Sequence, residues 1–243
     1  RCGILRAGAG PGATRARSAR APLERFVSRQ EVTTVKIAII GAGFVGTALA
    51  KGWSGAGHDV VVGVRDPRAA KVEEAVRATE GRARAASVQA AAAGADVVVL
   101  AVPWAAVDDA LQQAGSLAGK VLVDATNPLN ADFTGLAIGH TTSAGEEVAR
   151  RAPGAKVVKA FNTIGANHMA NPAFGGIRPS MFLCGDDPAA RTTVGELARV
   201  LGFDPVDAGP LSQARLLEPL AMLWISLAYG GYGIDIAFKL LTK

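Results

Sequence analysis

Gly41, Gly43 and Gly46 set a G-x-G-x-x-G spacing in the stretch GAGFVG, directly after the short apolar run VKIAII and at the mouth of a helix-like segment. The spacing suits a pyrophosphate. The first glycine permits a tight turn, the second lets backbone approach the anion, and the third lets helix and strand pack closely. The helix N-terminus meanwhile offers free N–H groups. A buried strand on either side of this loop is the context in which the motif points to a dinucleotide.

The next apolar run, DVVVGV, ends in Val64 and Arg65. An acid at that place would hydrogen-bond the ribose 2'-hydroxyl of NAD and repel the phosphate that NADP carries there. A guanidinium offers instead a planar fork of donors and a permanent charge. Arg65 is therefore expected to read a 2'-phosphate. Pairing with Asp66 is the plainer alternative, Asp66 itself leaves NAD open, and Arg68 could assist or simply start the next helix.

Ligands of open α/β sheets lie beyond the carboxyl ends of the strands. The residues expected there are Ala101, Val102, Pro103 and Trp104, then Ala125 to Pro128 with Asn127, then Asn162, Thr163, Ile164 and Gly165. They are short of acids and bases. His58 falls at the wrong edge, His140 and His168 stand alone in loops, and no Ser-His-Asp order, H-E-x-x-H or Cys/His cluster is present for nucleophilic or zinc chemistry, so no metal site and no catalytic side chain is assigned. Hydride transfer between two cofactors needs stacked faces and amide donors more than side-chain proton transfer. Pro103, Trp104, Asn127, Asn162 and Thr163 suit that task; the plainer roles are a core aromatic for Trp104 and a loop cap for Asn162.

These residues need a frame. Apolar runs at 35–40, 59–64, 96–102, 120–126 and 156–163, with ARAAS at 83–87, read as strands, and helix-forming segments alternate with them. The pattern predicts an α/β fold, a Rossmann-type doubly wound parallel sheet over residues 32–163. After Thr163 the rhythm loosens. SMFLCG and DPVDAG read as strands, DPAARTTVGELARVLG as a helix and Ser212 to Tyr229 as a long apolar helix, so residues 164–243 are expected to form a small C-terminal α/β appendage that completes a cleft.

Residues 1–31 hold seven arginines, two glutamates and no hydrophobic period, and are read as a disordered or non-native extension, with an organelle transit peptide as the alternative. They account for the whole formal charge of +5, which leaves the remainder neutral and argues against nucleic acid as a partner. Cys2 and Cys184 offer no disulfide framework, so a reducing, cytoplasmic setting is expected, and PLAMLWISLAYGGYG is too interrupted for a membrane span. The apolar segment RLLEPLAMLWISLAYGGYG has more surface than a small appendage covers, and predicts a homodimer.

Taken together, KIAIIGAGFVG, VVVGVRD, VVVLAVPW, AFNTIG, LCGDD and DAGPLSQARLLEP resemble the F420-dependent NADP oxidoreductase family, which is related to the reductase domain of the STEAP metalloreductases. The resemblance runs from about Val35 to Leu241 and implies hydride transfer between NADP(H) and the deazaflavin coenzyme F420 in a dimeric enzyme. It implies that Ala42, Gly43 and Phe44, with Val45 beside them, line the pyrophosphate, and that Val64 and Arg65 face the 2'-phosphate. Pro103 and Trp104 would lie on the nicotinamide side and Asn162 to Gly165 on the deazaflavin side, with Asp207 to Leu211 closing the C-terminal wall; Asn127 is grouped with the residues of the nucleotide side. This chain has Val64 where the archaeal members have serine, and Asn162 where they have histidine. FNT is closer to the STEAP domain, which passes hydride to a flavin, so FAD or FMN, with ferric ions downstream, is the alternative acceptor. A dinucleotide-binding sensor without turnover is the reading from another class.

Overall fold

The computed structural model describes residues 33–243; the extension expected at residues 1–31 lies outside them. Strands β1 (Lys36–Ile40), β2 (Asp59–Val64), β3 (Ala83–Ser87), β4 (Val97–Leu100), β5 (Val121–Asp124) and β6 (Lys156–Lys159) alternate with α1 (Phe44–Gly55), α2 (Ala70–Arg77), α3 (Val88–Ala93), α4 (Val107–Ala114) and α5 (Ala144–Arg151). They pair in the order β3-β2-β1-β4-β5-β6, all parallel, which is the dinucleotide-binding order with its switch point between β1 and β4.

After a short α6 (Ala166–Met169) the chain returns as β7 (Ser180–Gly185), antiparallel to β6; α7 (Pro188–Val200) then leads to β8 (Asp204–Asp207), parallel to β7. The C-terminal strands thus extend the same sheet to eight. A 3-10 turn at Leu211–Gln213 leads into α8 (Ala214–Leu227), followed by a π-helical turn, Ala228–Tyr232. No described helix is long and apolar enough to cross a membrane.

The central strands are buried on both faces, which is why they read as unbroken apolar runs. Ile37 and Ile39 of β1 join Leu49, Ala50 and Trp53 of α1 in one core layer. Ala38 and Ile40 join α3, α4 and α5 in the other. Trp53 anchors the first layer: its ring meets Phe161 edge-on at 5.5 Å and its Nε1 donates to the Leu197 carbonyl of α7 at 3.0 Å.

Several elements are shorter than their sequence patterns predict, among them β4, β6 and α4. β4 stops at Leu100 and β6 at Lys159. Beyond β6, Phe161 takes φ +63° and turns Asn162 and Thr163 out of the strand. α4 ends at Ala114 because Gly115 adopts φ +72°.

Candidate active site

The glycine loop is built on contacts that exclude larger residues. Gly41 takes φ +114°, and a side chain there would collide with the Ala101 carbonyl of β4's exit; at Gly46 it would strike the Gly41 carbonyl. Gly43 differs: a Cβ there would meet nothing within 4 Å. Gly43 is also the N-cap of α1, with no side-chain cap and no acid in the first turn, so the helix presents its free amides and positive end to the open space. An anionic group fits that cradle.

A cleft of about 500 Å³ opens there, over the switch point. Gly41, Ala42, Gly43, Val64, Arg65, Ala101, Val102 and Pro103 line it. Arg65 is exposed and has no carboxylate within ion-pair distance among the described residues. Asp66 instead accepts the Arg68 amide at 3.0 Å. The guanidinium is thus available to a ligand. Lys71 of α2 also lines this cleft, a residue not singled out by the sequence, where it is one lysine on a polar helix.

A second cleft, of about 560 Å³, is lined by Phe44, Asn127, Asn162, Ile164 and Gly165 together with Trp224, Tyr229 and Ile234 from the C-terminal segment. A smaller opening of about 390 Å³ joins the two regions, sharing Ala42, Gly43 and Lys71 with the first and Phe44 and Asn167 with the second. Phe44, 91% exposed, stands between them. Asn127, expected on the nucleotide side, lines the second cleft with Asn162 rather than the first. Val45 and Gly46 pack beneath the loop, and Thr163 is buried without lining either cleft. Trp104 also lines neither; it packs on the second core layer, and Arg151 lies 5.3 Å over its ring. The Asp207 to Leu211 turn holds the chain rather than the cleft, with Leu211 N donating to Asp186 at 2.8 Å.

The two asparagines are oriented from behind. Asn162 Nδ2 donates to the Leu217 carbonyl at 3.1 Å and to Asn127 Oδ1 at 3.3 Å, and Asn162 Oδ1 is buried with no partner. Turning the amide over would set that oxygen against a carbonyl, so its orientation is fixed by chemistry. Behind them lies a fully buried ion cluster of Lys159, Asp124 and Glu218. Burial opposes the Lys159 charge, but the two carboxylates overcome it and raise its pKa. Burial pushes the neighbouring Cys184 thiol up to about 12, so it stays protonated. The signal for this cluster was present in the sequence: Lys159 and Glu218 are lone charges inside apolar runs.

With this geometry in hand, comparison with known proteins gives a consistent result. Residues 36–128 match the family model described as NADP oxidoreductase, coenzyme F420-dependent. The chain is 34% identical over 211 residues to the F420-dependent NADP reductase of Methanothermobacter thermautotrophicus, covering 81% of this chain and 90% of that protein. It is 35% identical over 191 residues to the rat metalloreductase STEAP3, covering 77% of this chain but only 37% of that protein's length. A crystal structure from Arthrobacter sp. FB24, of a protein proposed to be an F420-dependent NADP-reductase, superposes with a TM-score of 0.79 at 36% identity, covering 86% of this chain and all of that one.

The fold and the family match define the chain as an NADP-dependent oxidoreductase. Within that class, the chain belongs to the F420-dependent NADP oxidoreductase family.

Proposed function

We propose that this protein transfers hydride between NADPH and the deazaflavin coenzyme F420. The observation that carries the reading is the pair of clefts linked by a third opening across Gly43 and Phe44, at the uncapped N-terminus of α1. When both cofactors are bound, the nicotinamide supplies hydride, the deazaflavin receives it, and a solvent proton completes the reduced ring. The protein's part is to hold and align. The glycine loop and α1 amides bind the pyrophosphate, and Arg65, with Lys71 beside it, binds the 2'-phosphate. Ala101, Val102 and Pro103 border the path toward the nicotinamide. Asn127, held in place by Asn162, supplies its amide to the acceptor side, while Ile164, Trp224 and Ile234 present apolar surface to it.

On this reading residues 32–163 hold the dinucleotide and residues 164–243 close the acceptor side. A homodimer follows from the exposure of Leu216, Leu223, Tyr229 and Tyr232 on α8 and the turn after it. Light scattering at micromolar concentration is expected to give twice the chain mass, and a monomer would remove that part.

A second reading, reduction of FAD or FMN, is favoured by one feature: Asn162 in place of the histidine of the archaeal members. Stopped-flow absorbance with NADPH and either coenzyme F420 or FAD separates the two. Fast bleaching of the deazaflavin is expected. Bleaching of FAD alone selects the flavin, and tight NADPH binding without turnover of either identifies a sensor.

A further inference from the structure

Lys159 is wholly buried, as are its neighbours Val158, Ala160 and Phe161, so its ammonium is shut off from bulk solvent. Its three hydrogens are all used: Asp124 Oδ2 at 2.8 Å, the Thr126 carbonyl at 2.7 Å and Glu218 Oε1 at 3.0 Å. Asp124 Oδ1 accepts from the Thr126 amide at 2.9 Å and its hydroxyl at 2.7 Å. Glu218 accepts the Ala144 and Gly145 amides at 2.9 and 3.1 Å, so the start of α5 offsets the surplus negative charge.

Such clusters are commonly replaceable by apolar residues without loss of stability, so stability alone does not account for one. Its attachments suggest another role. Thr126, gripped at amide, hydroxyl and carbonyl, immediately precedes Asn127. Glu218 immediately follows Leu217, whose carbonyl orients Asn162. The cluster therefore holds the backbone on which both cleft asparagines depend, one at the end of β5 and one through α8.

We propose that Lys159, acting through Asp124 and Glu218, is the positioning residue of the second cleft: it fixes the Asn127–Asn162 pair, and with it the Asn127 amide that faces the hydride acceptor. The proposal rests on the assignment of that cleft to the acceptor.

The test uses Glu218→Gln, Lys159→Met, and both together in the full chain, the pair removing one charge of each sign. NADPH affinity, acceptor kcat/KM and the side-chain amide resonances of Asn127 and Asn162 are measured on each. The double variant is expected to bind NADPH within about twofold of the parent while losing about tenfold or more in acceptor kcat/KM, with both resonances displaced. Adding Asn162→Ala to it is then expected to cost less than about twofold further, because the same interaction has already been lost. Unchanged acceptor kinetics, an equal loss in NADPH affinity, or full additivity with Asn162→Ala overturns the proposal. If Lys159→Met does not fold, Glu218→Gln and the pair decide by the same measures. If the parent reduces neither deazaflavin nor flavin, the acceptor assignment fails separately. The two resonances then decide the positioning role, displaced in its favour and unmoved against it.

Discussion

Asn127 and Asn162 hold each other reciprocally: the Asn127 amide donates to the Asn162 backbone carbonyl at 3.1 Å, and the Asn162 amide returns a bond to Asn127 Oδ1 at 3.3 Å. Neither asparagine can turn without releasing the other. The pair ties the exits of β5 and β6 into one wall of the second cleft.

Removing one member tests that wall. Asn162→Ala leaves the Leu217 carbonyl and Asn127 Oδ1 each short of a donor, and a net loss of about 1 kcal/mol in alignment corresponds to roughly a fivefold to tenfold fall in acceptor kcat/KM. NADPH affinity should be nearly unchanged, because Asn162 lies outside the first cleft. Equal losses on both sides would mean that the asparagine supports the fold generally.

Arg65 is expected to act on one cofactor and not the other. Arg65→Ala should raise the KM for NADPH by about ten to a thousandfold while changing NADH little, through loss of charge-assisted hydrogen bonds to the 2'-phosphate. Lys71→Ala should have the same direction and a smaller size, as a single point charge without the guanidinium's fork. Steady-state kinetics with both nucleotides measures this, and parallel losses would assign Arg65 a structural role.

The glycines separate binding from folding. Gly43→Ala meets open space in the protein, so the chain should fold with unchanged urea midpoint and yet bind NADPH more weakly, since the methyl group occupies the pyrophosphate's approach. Gly46→Ala drives a methyl group into the Gly41 carbonyl and should lower stability by about 1–3 kcal/mol. A destabilised Gly43→Ala with normal affinity would contradict this division.

His58 makes stability depend on pH. Burial lowers its pKa from the ordinary 6.5, its Nδ1 accepts the Val35 amide at 3.3 Å, and its Nε2 is buried without a partner. The unfolded chain therefore takes up a proton at this site before the folded one does as pH falls. Stability from the neutral ring is fully present above about pH 6.5 and declines as pH drops toward the lower folded value. Urea midpoints should fall between about pH 7 and about pH 5 in the parent, and His58→Gln should flatten that slope. An equally steep profile in the variant would place the titration elsewhere.

Much of this arrangement was legible in the sequence. The buried central strands betray themselves as apolar runs, and the glycine spacing and Arg65 carry their chemistry in local order. The ends of elements did not, because Ala101 and Phe161 continue an apolar pattern while the backbone has already turned. Trp104 was legible as an aromatic beside a strand end, but which side it packs on depends on Arg151, far along the chain. Lys159, Asp124 and Glu218 were visible only as isolated charges; which charge meets which is decided by strand order and by the docking of α8, and no local pattern encodes that.

The strand order also carries one sheet across the boundary at residue 163. Lys159 enters the sheet with β6, while one of its counter-charges arrives only when α8 docks. Without that helix Lys159 would keep one carboxylate of its two, and the Ala144 and Gly145 amides would lose their acceptor. The two stretches thus share a single buried charge balance. Glu218 of the last helix answers both a lysine of β6 and the first amides of α5, so a single side chain ties the C-terminal stretch to the parallel part of the sheet.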